Sequence, residues 1–253
     1  MDLGLAGKVA LVTGAARPRG IGRAIALTLA SEGADVACVD LRVEEAESAA
    51  EEIQGLGRRS IAVQVDQSDY SQVREGAAKV SEGLGPIDIL VNSAGVNTVG
   101  LLNKAEVSAW DKTVDIDLSG PYYWTREVFG SMIKKRWGRI VTIASIVGVL
   151  GGAGQASYAA SKGGLVSLMK TAALEGARYG ITANAISPGI VDTDMFSDIR
   201  EDMRERITKR VAMGRPGEAQ DVADLAAFLA SDRADYISGE NILVDGGLQL
   251  FVL

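Results

Sequence analysis

Tyr158 and Lys162 are the residues of this sequence best suited to proton chemistry, because they lie four positions apart in the segment Ser-Tyr-Ala-Ala-Ser-Lys. On a helix, residues at i and i+4 share one face. A lysine ammonium held near a phenol favours the phenolate, which makes a tyrosine a usable acid or base near neutral pH. Ser145 lies upstream, where a hydroxyl from the end of a neighbouring strand can hydrogen-bond the reacting oxygen. The spacing alone is weak evidence, so its meaning depends on the elements that position it.

The composition excludes several other chemistries. The 253 residues contain no histidine and one cysteine, which rules out a Ser-His-Asp triad, histidine-ligated zinc, disulfides within the chain and cysteine-based metal clusters. The net charge of −7 argues against nucleic acid as a partner. The start lacks the pattern of a secretory signal, and no apolar segment is long enough to span a bilayer. We therefore predict a cytoplasmic protein that binds a small-molecule substrate, with no metal and no membrane partner.

Short apolar segments rich in β-branched residues alternate with longer segments of helical period along the whole chain. This alternation is typical of a parallel sheet that is covered by helices on both faces. It predicts a single α/β domain over residues 1–253 with about seven strands. Ala109–Trp137 is predicted to be one long helix, and Ser157–Arg178 another. The charged segment 189–214 is predicted to be a substrate lid, with a solvated charged helix as the alternative.

A glycine-rich turn follows the first predicted strand, in the segment Thr13–Gly22, and a helix follows directly. Such a unit suits a dinucleotide, because glycines let the backbone approach a pyrophosphate and a helix N-terminus presents free N–H groups to it. The spacing is not the Gly-x-Gly-x-x-Gly fingerprint, so a purely structural turn stays open.

Asp40 ends the second predicted strand, eighteen positions after Gly22. An aspartate there can accept hydrogen bonds from the adenine ribose hydroxyls and repels a 2′-phosphate, which favours NAD over NADP. Arg17, Arg19 and Arg42 are close in sequence, however, and an arginine can accommodate that phosphate. NAD is predicted, and NADP stays open.

Together these segments resemble the short-chain dehydrogenase/reductase family, in its branch of about 250 residues, over nearly the whole chain. The resemblance implies a Rossmann-type doubly wound sheet and hydride transfer between a nicotinamide cofactor and a carbinol or carbonyl carbon. It implies that Tyr158 is the acid/base, that Ser145 orients the substrate oxygen, and that Lys162 tunes the tyrosine and holds the nicotinamide ribose. Ser145, Tyr158 and Gln155 are the expected substrate contacts. The expected cofactor contacts are Gly14, Arg19, Gly20, Ile21, Gly22, Asp40, Asp66, Asn92, Ala94, Gly95, Tyr158, Lys162, Pro188, Gly189, Ile190 and Thr193.

The sequence departs from the family at two places. Five residues instead of three separate Gly14 from Gly20, so the turn is longer and is stiffened by Pro18. Asp117 stands where the family has a catalytic asparagine, whose backbone carbonyl holds a water that passes protons to the lysine. A backbone role tolerates aspartate, whereas its carboxylate can also compete for the Lys162 ammonium.

Three functions remain open from the sequence. The first is oxidation or reduction of a small alcohol, polyol, sugar or hydroxy-ketone. The second is reduction of a 3-oxoacyl thioester, although enzymes of that group commonly use NADP, against which Asp40 weighs. The third is a regulatory protein that binds NAD without turnover. The resemblance also implies a homotetramer formed through the long helices. The apolar ending 248–253 is predicted to pack at a subunit interface or within its own subunit.

Overall fold

The computed structural model describes residues 2–197 and 200–250. Seven parallel strands form one sheet in the order β3-β2-β1-β4-β5-β6-β7. The strands are β1 (Val9–Thr13), β2 (Asp35–Asp40), β3 (Ser60–Gln64), β4 (Ile89–Asn92), β5 (Gly138–Ile143), β6 (Ile181–Pro188) and β7 (Asn241–Val244). β1, β4, β5 and β6 are buried along their whole length, as expected of strands that are covered on both faces. The seven strands and the doubly wound fold are as predicted.

Ten α-helices and one π-helical turn connect these strands within the described residues. The helices are α1 (Ile21–Ser31), α2 (Val43–Gly55), α3 (Tyr70–Gly83), α4 (Val107–Val114), α5 (Gly120–Lys135), α6 (Val147–Leu150), α7 (Ala156–Gly176), α8 (Asp194–Ser197), α9 (Glu201–Thr208) and α10 (Ala219–Leu229). In this part of the chain, no helix is both long and apolar enough to cross a membrane.

The apolar core lies in two layers, one on each face of the sheet. On one face, α1 and α10 pack through residues such as Ile25, Leu29 and Val222. On the other face, α3, α5 and α7 pack through residues such as Trp124 and Met169. Both layers are fully buried at these positions, so the sheet cannot move relative to its helices without opening the core.

The strand order reverses direction between β1 and β4, which are neighbours in the sheet although they are far apart in the chain. In an open parallel sheet, a ligand binds beyond the carboxyl ends of the strands at such a switch point. The glycine-rich turn (residues 14–22) follows β1, and the segment Ser93-Ala94-Gly95 follows β4. The fold therefore brings two of the predicted cofactor segments to one crevice.

The predicted single helix over Ala109–Trp137 is wrong in one respect. A π-helical turn, Asp115–Ser119, separates α4 from α5. Pro121 explains part of this interruption, because it has no N–H to donate to a carbonyl in the preceding turn. The side-chain amide of Gln67 donates instead to the Ile116 carbonyl at 2.7 Å. Asp117 lies inside this π turn, which changes the direction of its side chain from that of a regular helix.

The start of α1 lies in close contact with the end of β1 at Gly22. A Cβ at Gly22 would lie 2.3 Å from the Gly14 carbonyl oxygen, which is backbone and cannot rotate away. We expect Gly22→Ala to lower the free energy of unfolding by about 2–4 kcal/mol. Chemical denaturation measures the change.

Gly130→Ala is the matched control, because Gly130 lies inside α5 and a Cβ there meets nothing within 4 Å. This control should be neutral or stabilise the protein by up to about 1 kcal/mol through helix propensity. Equal effects of the two substitutions would contradict the close approach of α1 to β1.

Candidate active site

The glycine-rich turn contains a tight β-turn that accounts for its extra length. The Gly20 N–H donates to the Arg17 carbonyl at 2.8 Å, which places Pro18 at the second position of the turn, where its fixed φ is favourable. Gly14 has a positive φ of 71°, and a Cβ there would lie 2.8 Å from the Ala94 backbone. The turn therefore needs glycine both for its conformation and for its contact with the segment after β4.

The N-terminus of α1 is open at this turn. Gly20 is its N-cap residue and supplies no side-chain hydrogen bond, and the first turn holds no acidic residue. The first N–H groups of a helix have no partner within the helix. Donors at a helix N-terminus that no side chain caps are suited to bind an anionic pyrophosphate.

Asp40 lies at the end of β2 and is fixed by the backbone around it. Its Oδ2 accepts from the Ala16 N–H at 3.1 Å, and its Oδ1 accepts from the Arg42 N–H at 3.1 Å. The carboxylate thus joins the glycine-rich turn to the β2 end. Asp66, which follows β3, is held in a similar way, since its Oδ1 accepts from the Ser68 hydroxyl at 2.6 Å.

The segment after β4 is fixed to β1 and β5. The Thr13 hydroxyl accepts from the N–H groups of Ser93 and Ala94 at 3.0 and 3.1 Å. The buried Asn92 amide donates to the Thr142 hydroxyl at 3.1 Å. A Cβ at Gly95 would lie 3.0 Å from Asp117 Oδ2 and 3.2 Å from Lys162 Nζ. These contacts make Gly95 the link between the predicted cofactor crevice and the predicted catalytic residues.

Ser145 lies two residues beyond the end of β5 and is buried. Its hydroxyl accepts from the Val147 N–H at 3.1 Å, at the start of α6. A Cβ at Gly148 would lie 2.7 Å from the Gly163 nitrogen, so α6 lies directly against the backbone of α7. This close approach holds the Ser145 loop beside the helix that carries Tyr158 and Lys162.

The buried Lys162 ammonium contacts three different elements of the fold. Its Nζ donates to the Ile143 carbonyl at the end of β5, at 3.1 Å. The same Nζ lies 5.5 Å from the centroid of the Tyr158 ring, one helical turn away on α7. It also lies 3.5 Å from Asp117 Oδ2, at ion-pair distance. The structure therefore places the predicted tyrosine, lysine and aspartate in one cluster.

Asp117 is fully buried, and its two oxygens have different surroundings. Oδ1 accepts from the Val96 N–H at 2.8 Å, whereas Oδ2 makes no hydrogen bond within the described residues and faces Lys162. Burial raises the pKa of Asp117 above its ordinary value, and the Lys162 ammonium and the Val96 N–H offset part of that increase. The side chain is therefore in direct contact with the lysine, beyond any role of its backbone.

The other predicted contacts lie around this cluster. Gln155, which precedes α7, donates from its amide to Asn97 Oδ1 at 3.2 Å. Pro188 ends β6, and the Gly189 N–H that follows it donates to the Val244 carbonyl at 2.9 Å. The Thr193 hydroxyl donates to the Val191 carbonyl at 3.4 Å. All of these residues follow the carboxyl ends of strands on the same side of the sheet.

Sequence reasoning missed two features of the site. Gln67 is buried and holds the π turn through Ile116, but a glutamine after an aspartate carries no local signal of such a contact. Arg17 and Arg19 reach Asp194 and Asp192, which lie on the far side of the crevice. No spacing rule connects residues so distant in sequence.

The residues fit a nicotinamide dinucleotide. The glycine positions have no room for a Cβ, α1 has an open N-terminus, and an acidic residue ends β2. Together with the buried Lys162 under Tyr158, these features define an oxidoreductase of the nicotinamide-dependent class.

Comparison with known proteins agrees with this class. A family model described as enoyl-(acyl carrier protein) reductase matches residues 14–249. The 3-oxoacyl-(acyl-carrier-protein) reductase of Staphylococcus epidermidis is 41% identical over 244 residues, which cover 96% of this chain and 99% of that protein. The Escherichia coli enzyme of the same name is 42% identical over 245 residues, which cover 96% and 98%. The crystal structure of a protein assigned as a gluconate dehydrogenase, from Agrobacterium tumefaciens, has a TM-score of 0.94 and 34% identity over 98% of each chain.

The chain belongs to the short-chain dehydrogenase/reductase family, and it is an oxidoreductase that acts on CH–OH groups. The family, the fold and the enzyme class are therefore confirmed.

The raised pKa of Asp117 predicts how the stability of the protein depends on pH. The folded state holds this proton more tightly than the unfolded chain does. The resulting stabilisation is complete below the ordinary value of 3.8 and is lost as the pH rises through the raised folded value. Asp117→Asn does not titrate, so its free energy of unfolding should rise relative to wild type as the pH increases above about 4.

Urea denaturation over a series of pH values measures this difference. Asp202→Asn is the control, because it removes the same charge from an exposed position. If wild type instead gains stability relative to Asp117→Asn as the pH rises, the ion pair with Lys162 outweighs burial and the assignment is wrong.

Proposed function

We propose that this enzyme reduces 3-oxoacyl thioesters to 3-hydroxyacyl thioesters. The proposal rests on one observation. Over 96% of its length, the chain is 41% and 42% identical to two enzymes that are named for that reaction. The clustered tyrosine, lysine and serine are the chemical support, since this set protonates a carbonyl oxygen. Of the functions that the sequence left open, this one is better supported than a small alcohol or polyol substrate.

Each catalytic side chain has a separate part in the proposed reaction. The reduced nicotinamide cofactor, when bound, supplies the hydride that converts the C3 carbonyl to a carbinol. Ser145 hydrogen-bonds the carbonyl oxygen and orients it. Tyr158 gives its phenolic proton to that oxygen as the negative charge develops. Lys162 stabilises the phenolate that remains, and it donates to the nicotinamide ribose.

Asp117 is proposed to act on this reaction through Lys162. Its carboxylate is 3.5 Å from the ammonium, and its Oδ1 fixes the segment that begins with Gly95 through the Val96 N–H. Opposite charges at this distance favour each other's charged form. The aspartate therefore holds the lysine in place, while the π turn sets the position of the aspartate.

The cofactor is proposed to be NAD, in its oxidised or reduced form. Asp40 supports this preference, because its carboxylate is fixed at the end of β2 by two backbone N–H groups and cannot turn away from the ribose site. The residues that would hold the cofactor are the sixteen separate positions named in the sequence analysis, of which Gly14 is the first and Thr193 the last. Residues 189–214, which include α8 and α9, are proposed to cover the substrate.

A dehydrogenase of a polyol or hydroxy acid is the second candidate function. It is favoured by the fold similarity to the protein assigned as a gluconate dehydrogenase. The polar pair formed by Gln155 and Asn97 beside α7 would suit a hydroxylated substrate better than an acyl chain.

A panel of substrates tests the proposed function. Purified enzyme is given a 3-oxoacyl thioester, an enoyl thioester, gluconate and simple polyols, each with both nicotinamide cofactors, and reduced nicotinamide absorbance is followed. We expect the highest kcat/KM for the 3-oxoacyl thioester with NADH. A higher kcat/KM for gluconate or a polyol would favour the second candidate, and turnover of the enoyl thioester alone would contradict both.

Tyr158→Phe tests whether the observed turnover comes from this site. We expect kcat to fall by about 10²–10⁴-fold, because the proton donor is lost, while cofactor binding is retained. Tyr236→Phe removes a hydroxyl from a fully exposed ring and should leave activity unchanged. Undiminished activity of Tyr158→Phe would remove the tyrosine from its proposed role and reopen a protein that binds the cofactor without turnover.

A homotetramer formed through α5 and α7 is also proposed. A groove at these helices is lined by Phe129, Ile133, Leu174 and Tyr179 together with Glu175 and Arg178, and Leu174 on α7 is 82% exposed in the single chain. We expect light scattering to give about four times the chain mass of 26.5 kDa. Leu174→Glu should lower that mass, whereas Leu56→Glu, at an exposed leucine that follows α2, should not. An unchanged mass for Leu174→Glu would place the interface elsewhere. The apolar ending 248–253 is proposed to pack at a subunit interface or within its own subunit, and its residues 251–253 lie outside the described part of the chain.

A further inference from the structure

Arg17, Arg19 and Arg42 are the arginines that the sequence offers for a 2′-phosphate, and each lies at ion-pair distance from a carboxylate. Arg19 Nη2 lies 2.7 Å from Asp192 Oδ1, and Arg17 Nη1 lies 3.6 Å from Asp194 Oδ2. Arg42 lies 3.3 Å from Glu45 on α2. The first pair joins the glycine-rich turn to the segment between β6 and α8, and the second joins it to the first residue of α8, across the predicted cofactor crevice.

Both contacts come from the longer part of the glycine-rich turn. Arg17 and Arg19 belong to the β-turn from Arg17 to Gly20, with Pro18 between them. Arg19 makes a second contact there, because its Nη1 donates to the Ser197 hydroxyl at 3.3 Å. The Arg19 guanidinium is therefore held by two partners, Asp192 before α8 and Ser197 on α8.

The backbone of the turn lies close to the predicted adenine ribose site. The Ala16 N–H donates to Asp40 Oδ2 at 3.1 Å, and Arg17 is the next residue. An arginine near the acidic residue of β2 is the group that accommodates a 2′-phosphate in enzymes that use NADP. A guanidinium nitrogen that faces Asp194 is not available to such a phosphate at the same time.

The charges around the site also oppose a further anion. Three guanidinium groups are paired there with four carboxylates, so the cluster already has a net negative charge. The carboxylates are those of Asp40, Glu45, Asp192 and Asp194. A phosphate monoester brings between one and two further negative charges near neutral pH. The pairs are half-exposed, so each contributes little and can be displaced at a cost.

We propose that Asp192 and Asp194 determine cofactor specificity by occupying Arg17 and Arg19, which would otherwise bind the 2′-phosphate of NADP. This inference rests on the proposed NAD preference, and it adds a second source of that preference beyond the charge of Asp40. The two aspartates act at a distance from the hydride-transfer centre. They bias the choice of cofactor through the arginines.

Binding of cofactor fragments to the full-length protein tests the proposal without turnover. ADP-ribose and its 2′-phosphorylated form differ only in the phosphate, and isothermal titration calorimetry gives the Kd of each. For Asp192→Asn/Asp194→Asn, we expect the Kd of the phosphorylated fragment to fall about fivefold or more relative to that of ADP-ribose. The gain should shrink at high salt.

Two further variants separate a local effect from a change of net charge. Asp202→Asn/Glu205→Gln removes the same charge from exposed carboxylates on α9, which pair with Arg200 and Lys209. This control should not alter the ratio of the two Kd values. Adding Arg17→Gln and Arg19→Gln to the double aspartate variant should abolish the gain, because the arginines are then missing.

The outcomes distinguish this inference from the proposed function. An equal gain for both fragments would overturn the inference, because the freed arginines would then be acting on the pyrophosphate. An unchanged ratio, or the same gain in the α9 control, would also overturn it. Failure of wild type to bind either fragment would overturn the proposed cofactor site and this inference together.

Discussion

The buried ammonium of Lys162 is the contact on which the active site depends. It binds the Ile143 carbonyl, lies beneath the Tyr158 ring and faces the Asp117 carboxylate. β5, α7 and the π turn thus meet at one atom. A buried charge without partners would cost several kcal/mol, so the three partners must be in place together. This requirement couples the position of Tyr158, the proposed acid/base, to the sheet, and it leaves little freedom in how α7 can be placed.

The π turn makes this arrangement possible. A regular helix from α4 through α5 would place the Asp117 side chain at a different angle to the sheet, because a π turn shifts every later residue around the helix axis. Pro121 withdraws a backbone donor, and the Gln67 amide replaces it at the Ile116 carbonyl. Gln67 therefore acts on the proposed catalytic residues only through their positions. It holds the π turn that carries Asp117, and Asp117 faces Lys162.

The sequence was sufficient for the parts of the structure that follow from local patterns. The strands from β1 to β7 could be predicted because both faces of the sheet are covered, so each strand is a short, nearly continuous apolar segment. Tyr158, Lys162 and Ser145 could be placed because their motif has a fixed relation to β5 and α7. The π turn could not, since hydrophobic periodicity does not show which carbonyl each N–H binds. The pairing of Arg19 with Asp192 could not either, because it depends on how two loops from opposite ends of the chain meet above the sheet.

The two groups of ion pairs differ in what they can do, and burial decides the difference. Lys162 and Asp117 are 5% and 0% exposed, so separating them would leave an unpaired charge in the interior. Arg19 and Asp192 are each 51% exposed, so water can replace either partner and the pair can exchange for a ligand. The catalytic charges are therefore suited to a fixed geometry. The charges at the edge of the cofactor crevice are suited to selection among anions, because their partners can change at low cost.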